Sequence, residues 1–168
     1  GETVIGLASR GGHIHVVRFL IQCGADVSRG NAQDESPLYV ACNGGHLDVV
    51  KLLVNNGAKV VKGKEDGMLP LSIAAHNGHA DVVKFLIQAG AKPDVVTAEG
   101  CTPLWLAAKQ GHLSVVKVMI SERSAALFFF CVCHDLVSRS MMVVLDRAYS
   151  HPAFSHLEGG PIRGPAPT

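Results

Sequence analysis

The chain has 168 residues, of which 48% are hydrophobic and only 5% are aromatic. This length is typical of one domain and excludes a large multidomain enzyme, and the composition favours a core of packed aliphatic helices. Fifteen Lys and Arg residues against fourteen Asp and Glu leave a formal net charge of +1, which is too small to indicate a nucleic-acid or acidic-membrane binding face.

The chain starts at Gly1, and its first residues have neither the basic nor the apolar part of a secretory signal, which indicates a fragment or a processed chain. The longest apolar run, residues 125–133, has nine residues, whereas a membrane-spanning helix needs about 20. The five cysteines are odd in number and irregularly spaced, so a disulfide framework is not indicated. These features predict a cytoplasmic or nuclear protein with no membrane insertion and with all five thiols free.

A fixed period runs through the chain as far as about residue 126. Gly-His pairs recur at 12–13, 45–46, 78–79 and 111–112. In register with them are Ser36-Pro37-Leu38-Tyr39, Leu69-Pro70-Leu71-Ser72 and Thr102-Pro103-Leu104-Trp105, and also Gly-Ala pairs at 24–25, 57–58 and 90–91. Four copies at a constant spacing exclude coincidence and indicate a repeat architecture.

Each unit is predicted to form two antiparallel helices. In the second unit Ser36 can cap the first helix, with Pro37 in the first helical position, where a missing N–H donor costs nothing. The glycines at 44–45 then interrupt that helix, and residues 47–53 have the apolar spacing of a second, amphipathic helix. Gly57 can close the second helix in the left-handed conformation.

This pattern resembles the ankyrin repeat, a family with a period of about 33 residues and a T-P-L-H-x-A motif. The resemblance implies an all-α fold, an α-solenoid of about four stacked helix-turn-helix units with projecting finger turns, over residues 1–126. The repeats lie near 1–35, 36–68, 69–101 and 102–126. The first copy lacks the Pro and the outer turn, and Leu69 stands where the capping hydroxyl belongs. The fourth motif position holds no His in any copy, so the usual Thr-to-His bond is not expected.

Residues 127–168 differ from the repeats, because they contain no Lys and half of the eight prolines. The apolar part, through about residue 145, is interpreted either as an improvised cap on the last repeat or as disordered chain, and a splice or reading-frame product is a further alternative. From Tyr149 onward the Pro and Gly content predicts disorder.

The resemblance implies a protein-recognition module without catalysis of its own, a monomer that binds another protein and no nucleic acid. Positions that the repeat does not need for its own packing are the binding candidates, and the family architecture places them on one concave surface. Three rows result, and within each row the residues are one period apart: Glu35, Met68 and Cys101; Tyr39, Ser72 and Trp105; Asn43, His76 and Lys109. Tyr39 and Trp105 are predicted to be exposed anchors for a short peptide, with packing of Trp105 on the tail as the alternative.

No catalytic motif, cofactor site or metal site is predicted. The Gly-His histidines lie where the family uses His for hydrogen bonds between a helix and a neighbouring loop. The Cys131-x-Cys133-His134 motif lacks the second ligand pair that a structural zinc site needs, and Cys42 is interpreted as a small core residue. The alternative function, from a different class, is that the chain is a regulatory or targeting segment of a larger enzyme, channel or receptor.

Overall fold

A computed structural model describes residues 1–64 and 67–122, and within these ranges it contains eight α-helices and no β-strand. The helices are α1 (Val4–Arg10), α2 (Ile14–Gln22), α3 (Pro37–Gly44), α4 (Leu47–Asn55), α5 (Pro70–His76), α6 (Ala80–Gln88), α7 (Pro103–Lys109) and α8 (Leu113–Ser121). The predicted cap, the predicted disordered tail and the Cys131-x-Cys133-His134 motif lie outside the described residues.

The helices form a stack of four pairs. Each odd-numbered helix packs against the even-numbered helix that follows it, as in the pairs α1 with α2 and α3 with α4. The odd-numbered helices also pack on one another in sequence order, and so do the even-numbered helices. We call these two series the first-helix row and the second-helix row, and the loops that precede α3, α5 and α7 the fingers. The predicted all-α solenoid is confirmed.

The core runs continuously between the two rows and is aliphatic. In the second-helix row the buried stripe repeats at positions such as Val49, Val82 and Val115, each of which is at most 1% exposed. In the first-helix row every helix has two adjacent small buried residues, which let neighbouring helix backbones approach closely. These pairs are Ala8-Ser9, Ala41-Cys42, Ala74-Ala75 and Ala107-Ala108. Cys42 is fully buried, which confirms its interpretation as a small core residue.

Three of the four first helices begin with a side-chain cap. Ser36 Oγ accepts a hydrogen bond from the backbone N–H of Tyr39 at 3.1 Å, and Thr102 Oγ1 accepts one from Trp105 at 3.2 Å. Thr3 caps α1 in the same way, although no proline follows it. Leu69, at the start of α5, offers no such bond. The third repeat therefore has the least satisfied helix start of the four.

A hydroxyl at position 69 is expected to stabilise the protein. The free energy of unfolding of the Leu69→Thr variant should be about 1 kcal/mol higher than that of the Leu69→Val variant. The two side chains have the same shape, but only threonine can accept a hydrogen bond from the backbone N–H of Ser72. Urea denaturation of both variants measures the difference. Equal stabilities would show that this helix start needs no cap.

Candidate functional site

The nine predicted binding residues lie on three neighbouring repeats. Glu35, Met68 and Cys101 are finger residues directly before the first helices, Tyr39, Ser72 and Trp105 lie in the first turn, and Asn43, His76 and Lys109 lie near the C-terminal ends. Because α3, α5 and α7 pack side by side, the three positions form three parallel rows across the first-helix row. Residues that are one repeat period apart in the sequence are therefore neighbours in space.

The rows differ in how much of each side chain reaches the surface. Asn43 and Lys109 are exposed, and Trp105 is half-buried. Tyr39 is only 6% exposed and Ser72 only 1% exposed, so the expectation of an exposed anchor at Tyr39 is wrong. The reason is that α3 and α5 each have a first helix packed on both sides, whereas the neighbour of α7 in the described first-helix row is α5 alone.

Trp105 combines an accessible ring with a charged neighbour on its own helix. The ammonium of Lys109, one helical turn further along, lies 4.8 Å from the centroid of the Trp105 ring. A cation at this distance is attracted to the ring face. The indole N–H of Trp105 has no hydrogen-bond partner among the described residues, so it is a donor at the edge of this surface.

Glu35 is held by basic and polar groups from both sides of its finger. One carboxylate oxygen accepts from Asn31 Nδ2 at 2.9 Å and lies 3.4 Å from Arg10 Nη2, and the other lies 3.3 Å from Lys64 Nζ. Arg10 in turn pairs with Glu2. Burial raises the pKa of Glu35, but the hydrogen bonds from Asn31 and Lys64 and the charges of Lys64 and Arg10 outweigh it and lower that pKa. Glu35 therefore bridges neighbouring repeats as well as belonging to the candidate rows.

Glu35→Gln should change the pH dependence of stability. A carboxyl whose pKa is lowered in the folded state stabilises the fold above its unfolded-state pKa, and this contribution disappears as pH falls below about 4.5. The variant should therefore be less stable than the parent at pH 7, and the gap should narrow by pH 3. Urea unfolding of both proteins at the two pH values measures this, and a gap that widens at pH 3 would contradict the assigned network.

The Gly-His pairs join each repeat to the one before it. Because a carbonyl oxygen only accepts, each histidine donates from Nε2 to the end of the preceding first helix: His46 to Arg10 O at 2.9 Å, His79 to Asn43 O at 3.1 Å, and His112 to His76 O at 2.9 Å. The expected structural role is confirmed for these three, with the helix end as acceptor. His13 has no such acceptor among the described residues.

The glycines of the first three pairs, Gly12, Gly45 and Gly78, each lie against the ring of the histidine in the next repeat. Gly45 has a φ of +73°, and a Cβ added there would lie 2.5 Å from Nδ1 of His79. Gly12 has a φ of +70° and the same relation to His46. A side chain at either glycine would therefore meet both backbone strain and a clash with the ring.

Comparison with known protein families decides which repeat this is. The model of the ankyrin-repeat family, which describes three copies of the repeat, matches residues 1–64 and 61–128. The chain belongs to the ankyrin-repeat family. Ankyrin repeats are generally protein–protein interaction modules, and the family is typically non-catalytic. A search of curated proteins found no match.

This ankyrin array adds a second set of inter-repeat bonds that the sequence analysis missed. Asn77 Nδ2 donates to both oxygens of Asn43, at 3.1 Å to the backbone and 2.7 Å to the side chain. Gln110, one period later, has its Nε2 3.4 Å from Nε2 of His76. The signal was present in the sequence, since both amides stand two residues before the histidine of a Gly-His pair. Asn43 and His76 therefore contact the next repeat as well as the surface.

The ankyrin array lacks the histidine of the family motif in every repeat, and at the third repeat it also lacks the capping hydroxyl. His76 Nδ1 and Ser72 Oγ are both buried and lack hydrogen-bond partners in the described structure. With Leu69 at the helix start and Ser72 in the histidine position, the usual Thr-to-His bond of the family is absent there.

The described cysteines and acidic residues form no metal centre. Within the described ranges, residues 1–64 and 67–122, no cluster of three or more His, Cys, Asp or Glu side chains is arranged to hold a metal ion. Cys23, Cys42 and Cys101 are free thiols, and burial raises the pKa of the Cys42 thiol. None of the eight described helices has both the length and the hydropathy to cross a membrane.

Proposed function

We propose that this chain is a non-catalytic protein–protein interaction module that binds an extended segment or a helix of a partner protein across the fingers and the first-helix row. The observation that carries the proposal is the half-buried ring of Trp105, with its unused indole N–H and with Lys109 over its face. Interface residues that dominate binding are enriched in tryptophan, and a side chain that is already ordered loses less conformational freedom on binding.

The surroundings of Trp105 support a protein partner. The exposed side chains of Lys109 and Asn43 supply a charge and an amide on the same surface, and half-buried His76 lies between them. None of these three belongs to the apolar core, and their chemistry differs from repeat to repeat. A surface with a constant scaffold and variable side chains is suited to selecting one partner sequence.

The remaining candidate residues contribute in two ways. In the proposal, buried Tyr39 and Ser72 support the surface from beneath, and half-buried Cys101 and Met68 line its finger edge. Glu35 is already held by Asn31 and Lys64, so it orders the first finger more than it attracts a partner. We further propose a monomer that acts in the cytoplasm or nucleus, a setting supported by the free thiols at Cys23, Cys42 and Cys101.

Site-directed photocrosslinking tests the proposed surface. A benzophenone side chain at Asn43 or Lys109, on the first-helix row, should capture a partner in cells. The matched control positions are Lys51 and Lys84, which are also exposed but lie on α4 and α6 of the second-helix row. Mass spectrometry of the adducts then identifies the partner. Capture mainly from Lys51 and Lys84 would place the binding surface on the opposite row and contradict the proposal.

A further inference from the structure

The surface beside Trp105 carries a positive charge without an ionic partner. Lys109 is exposed, and no carboxylate among the described residues forms an ion pair with it. The Trp105 ring attracts one side of the ammonium. An ammonium has three N–H donors, so donors remain for an acceptor from outside the chain. Because the ring already limits the positions of Lys109, an anion that binds there orders this side chain at a smaller entropic cost.

The described carboxylates near the first-helix row lie away from Lys109. Glu2 and Glu35 stand before the starts of α1 and α3, and both pair with Arg10. Glu99 is exposed, but it stands in the third finger, before the start of α7, whereas Lys109 is the last residue of that helix. The C-terminal end of α7 therefore has a cation that no acidic side chain of the described surface balances.

The ends of the other first helices have few open acceptors. The last carbonyl groups of a helix usually lack an intrahelical partner and carry partial negative charge. Here the carbonyls of Arg10, Asn43 and His76 each accept from a histidine of the next repeat. Asn43 Oδ1 also accepts, from Asn77, which leaves Asn43 Nδ2 as a donor without a partner among the described residues. An anion that approaches Asn43 therefore meets an open N–H group and no open carbonyl.

We propose that the partner segment is acidic, and that an Asp or Glu carboxylate of the partner accepts from both the Lys109 ammonium and the Trp105 indole N–H. The inference rests on the proposed function and adds the charge of the partner to it. The two donors belong to adjacent side chains of α7, so the two oxygens of a single carboxylate can accept one bond each. The indole N–H has no other acceptor among the described residues.

The separation of the open donors sets the length of the segment. Asn43 and Lys109 lie at the ends of α3 and α7, and α5 packs between these two helices. Packed helices are about 10 Å apart, so Asn43 and Lys109 are about 20 Å apart. An extended chain rises about 3.3 Å per residue, so about six residues span this distance. The ligand is therefore an extended segment with an acidic residue at α7 and a polar acceptor at α3.

A displayed library of random peptides tests the charge of the segment. Selection on the full chain should enrich peptides that contain Asp or Glu and that no longer bind Trp105→Ala. Selection on Lys109→Glu should instead enrich peptides that contain Lys or Arg, because the charge of the site is reversed. Lys84→Glu is the matched control, since the same charge change is made at an exposed lysine of α6 on the second-helix row. This control should select the same peptides as the parent.

Titration of one selected peptide measures the contribution of Lys109. Trp105 is the only tryptophan of the chain, so its fluorescence reports directly on this surface. Lys109→Gln should weaken binding of the peptide by about tenfold, whereas Lys84→Gln should leave the affinity unchanged. Added salt should weaken binding to the parent more than binding to Lys109→Gln, because the screened ion pair is present only in the parent.

The outcomes separate this inference from the function on which it rests. Selected peptides that need Trp105 but lack acidic residues, or equal affinities for the parent and Lys109→Gln, would overturn the acidic ligand and leave the proposed function standing. A library that yields no binder dependent on Trp105 would contradict both. A synthetic peptide with phosphoserine in place of the acidic residue is a further arm. If it binds more tightly by about tenfold or more, the ligand is a phosphoryl group and the carboxylate is overturned.

Discussion

Leu71→Ala is expected to lower the free energy of unfolding by about 2 to 5 kcal/mol. Leu71 is 1% exposed on α5, a helix that packs against α3, α6 and α7. Truncation there removes buried apolar contacts and leaves a cavity at the junction of two repeat interfaces. Because a stack of repeats is stabilised by nearest-neighbour contacts, the loss weakens both interfaces of the third repeat together.

Leu7→Ala is the matched control for this prediction. The same atoms are removed from α1, but Leu7 is 52% exposed, so the expected loss is about 0.5 kcal/mol. Urea unfolding of the two variants and the parent gives the comparison. Equal losses for Leu7→Ala and Leu71→Ala would contradict the assigned positions of the two side chains, the first at an open end and the second inside the stack.

Trp105→Ala is expected to weaken partner binding by about 2 kcal/mol or more, which is about 30-fold in Kd. The ring is half-buried beside Lys109, so its removal should change the stability of the free protein much less than its affinity. The partner for this measurement is the protein captured from Asn43 or Lys109 by photocrosslinking.

Tyr39→Ala is the informative comparison for Trp105→Ala. Both rings stand at the same repeat position, but Tyr39 is 6% exposed between α1 and α5. Its removal should cost about 3 kcal/mol or more of unfolding free energy, as for other buried aromatic residues. The two substitutions should therefore have opposite profiles, with stability lost at Tyr39 and affinity lost at Trp105.

Local signals in the sequence predicted most of the fold. The start of α3 depends on Ser36 and Pro37, and its end on the Gly44-Gly45 pair, which are features within one turn of the helix terminus. The constant repeat period then implied the stacking, because identical units repeat the same contacts. The helix starts at Ser36 and Thr102 and the left-handed glycines at Gly57 and Gly90 are confirmed.

The candidate site was less predictable, because exposure depends on neighbours as well as on position within a repeat. Tyr39 and Trp105 are equivalent in sequence, yet Tyr39 is covered by first helices from both sides. Asn31 and Lys64, which bind Glu35, stand one repeat period apart but differ in residue type, so the repeat pattern did not indicate these bonds. The roles of the candidate rows in partner binding remain predictions.

One pair of measurements on Trp105→Ala tests the central claim most directly, that the first-helix row recognises a partner through this ring. Isothermal titration gives the Kd for the captured partner, and thermal unfolding gives the stability of the free protein. We predict an affinity about 30-fold weaker than that of the parent with a melting temperature within about 2 °C of it. A variant that melts several degrees lower and binds with unchanged Kd would assign Trp105 to packing and contradict the proposed function.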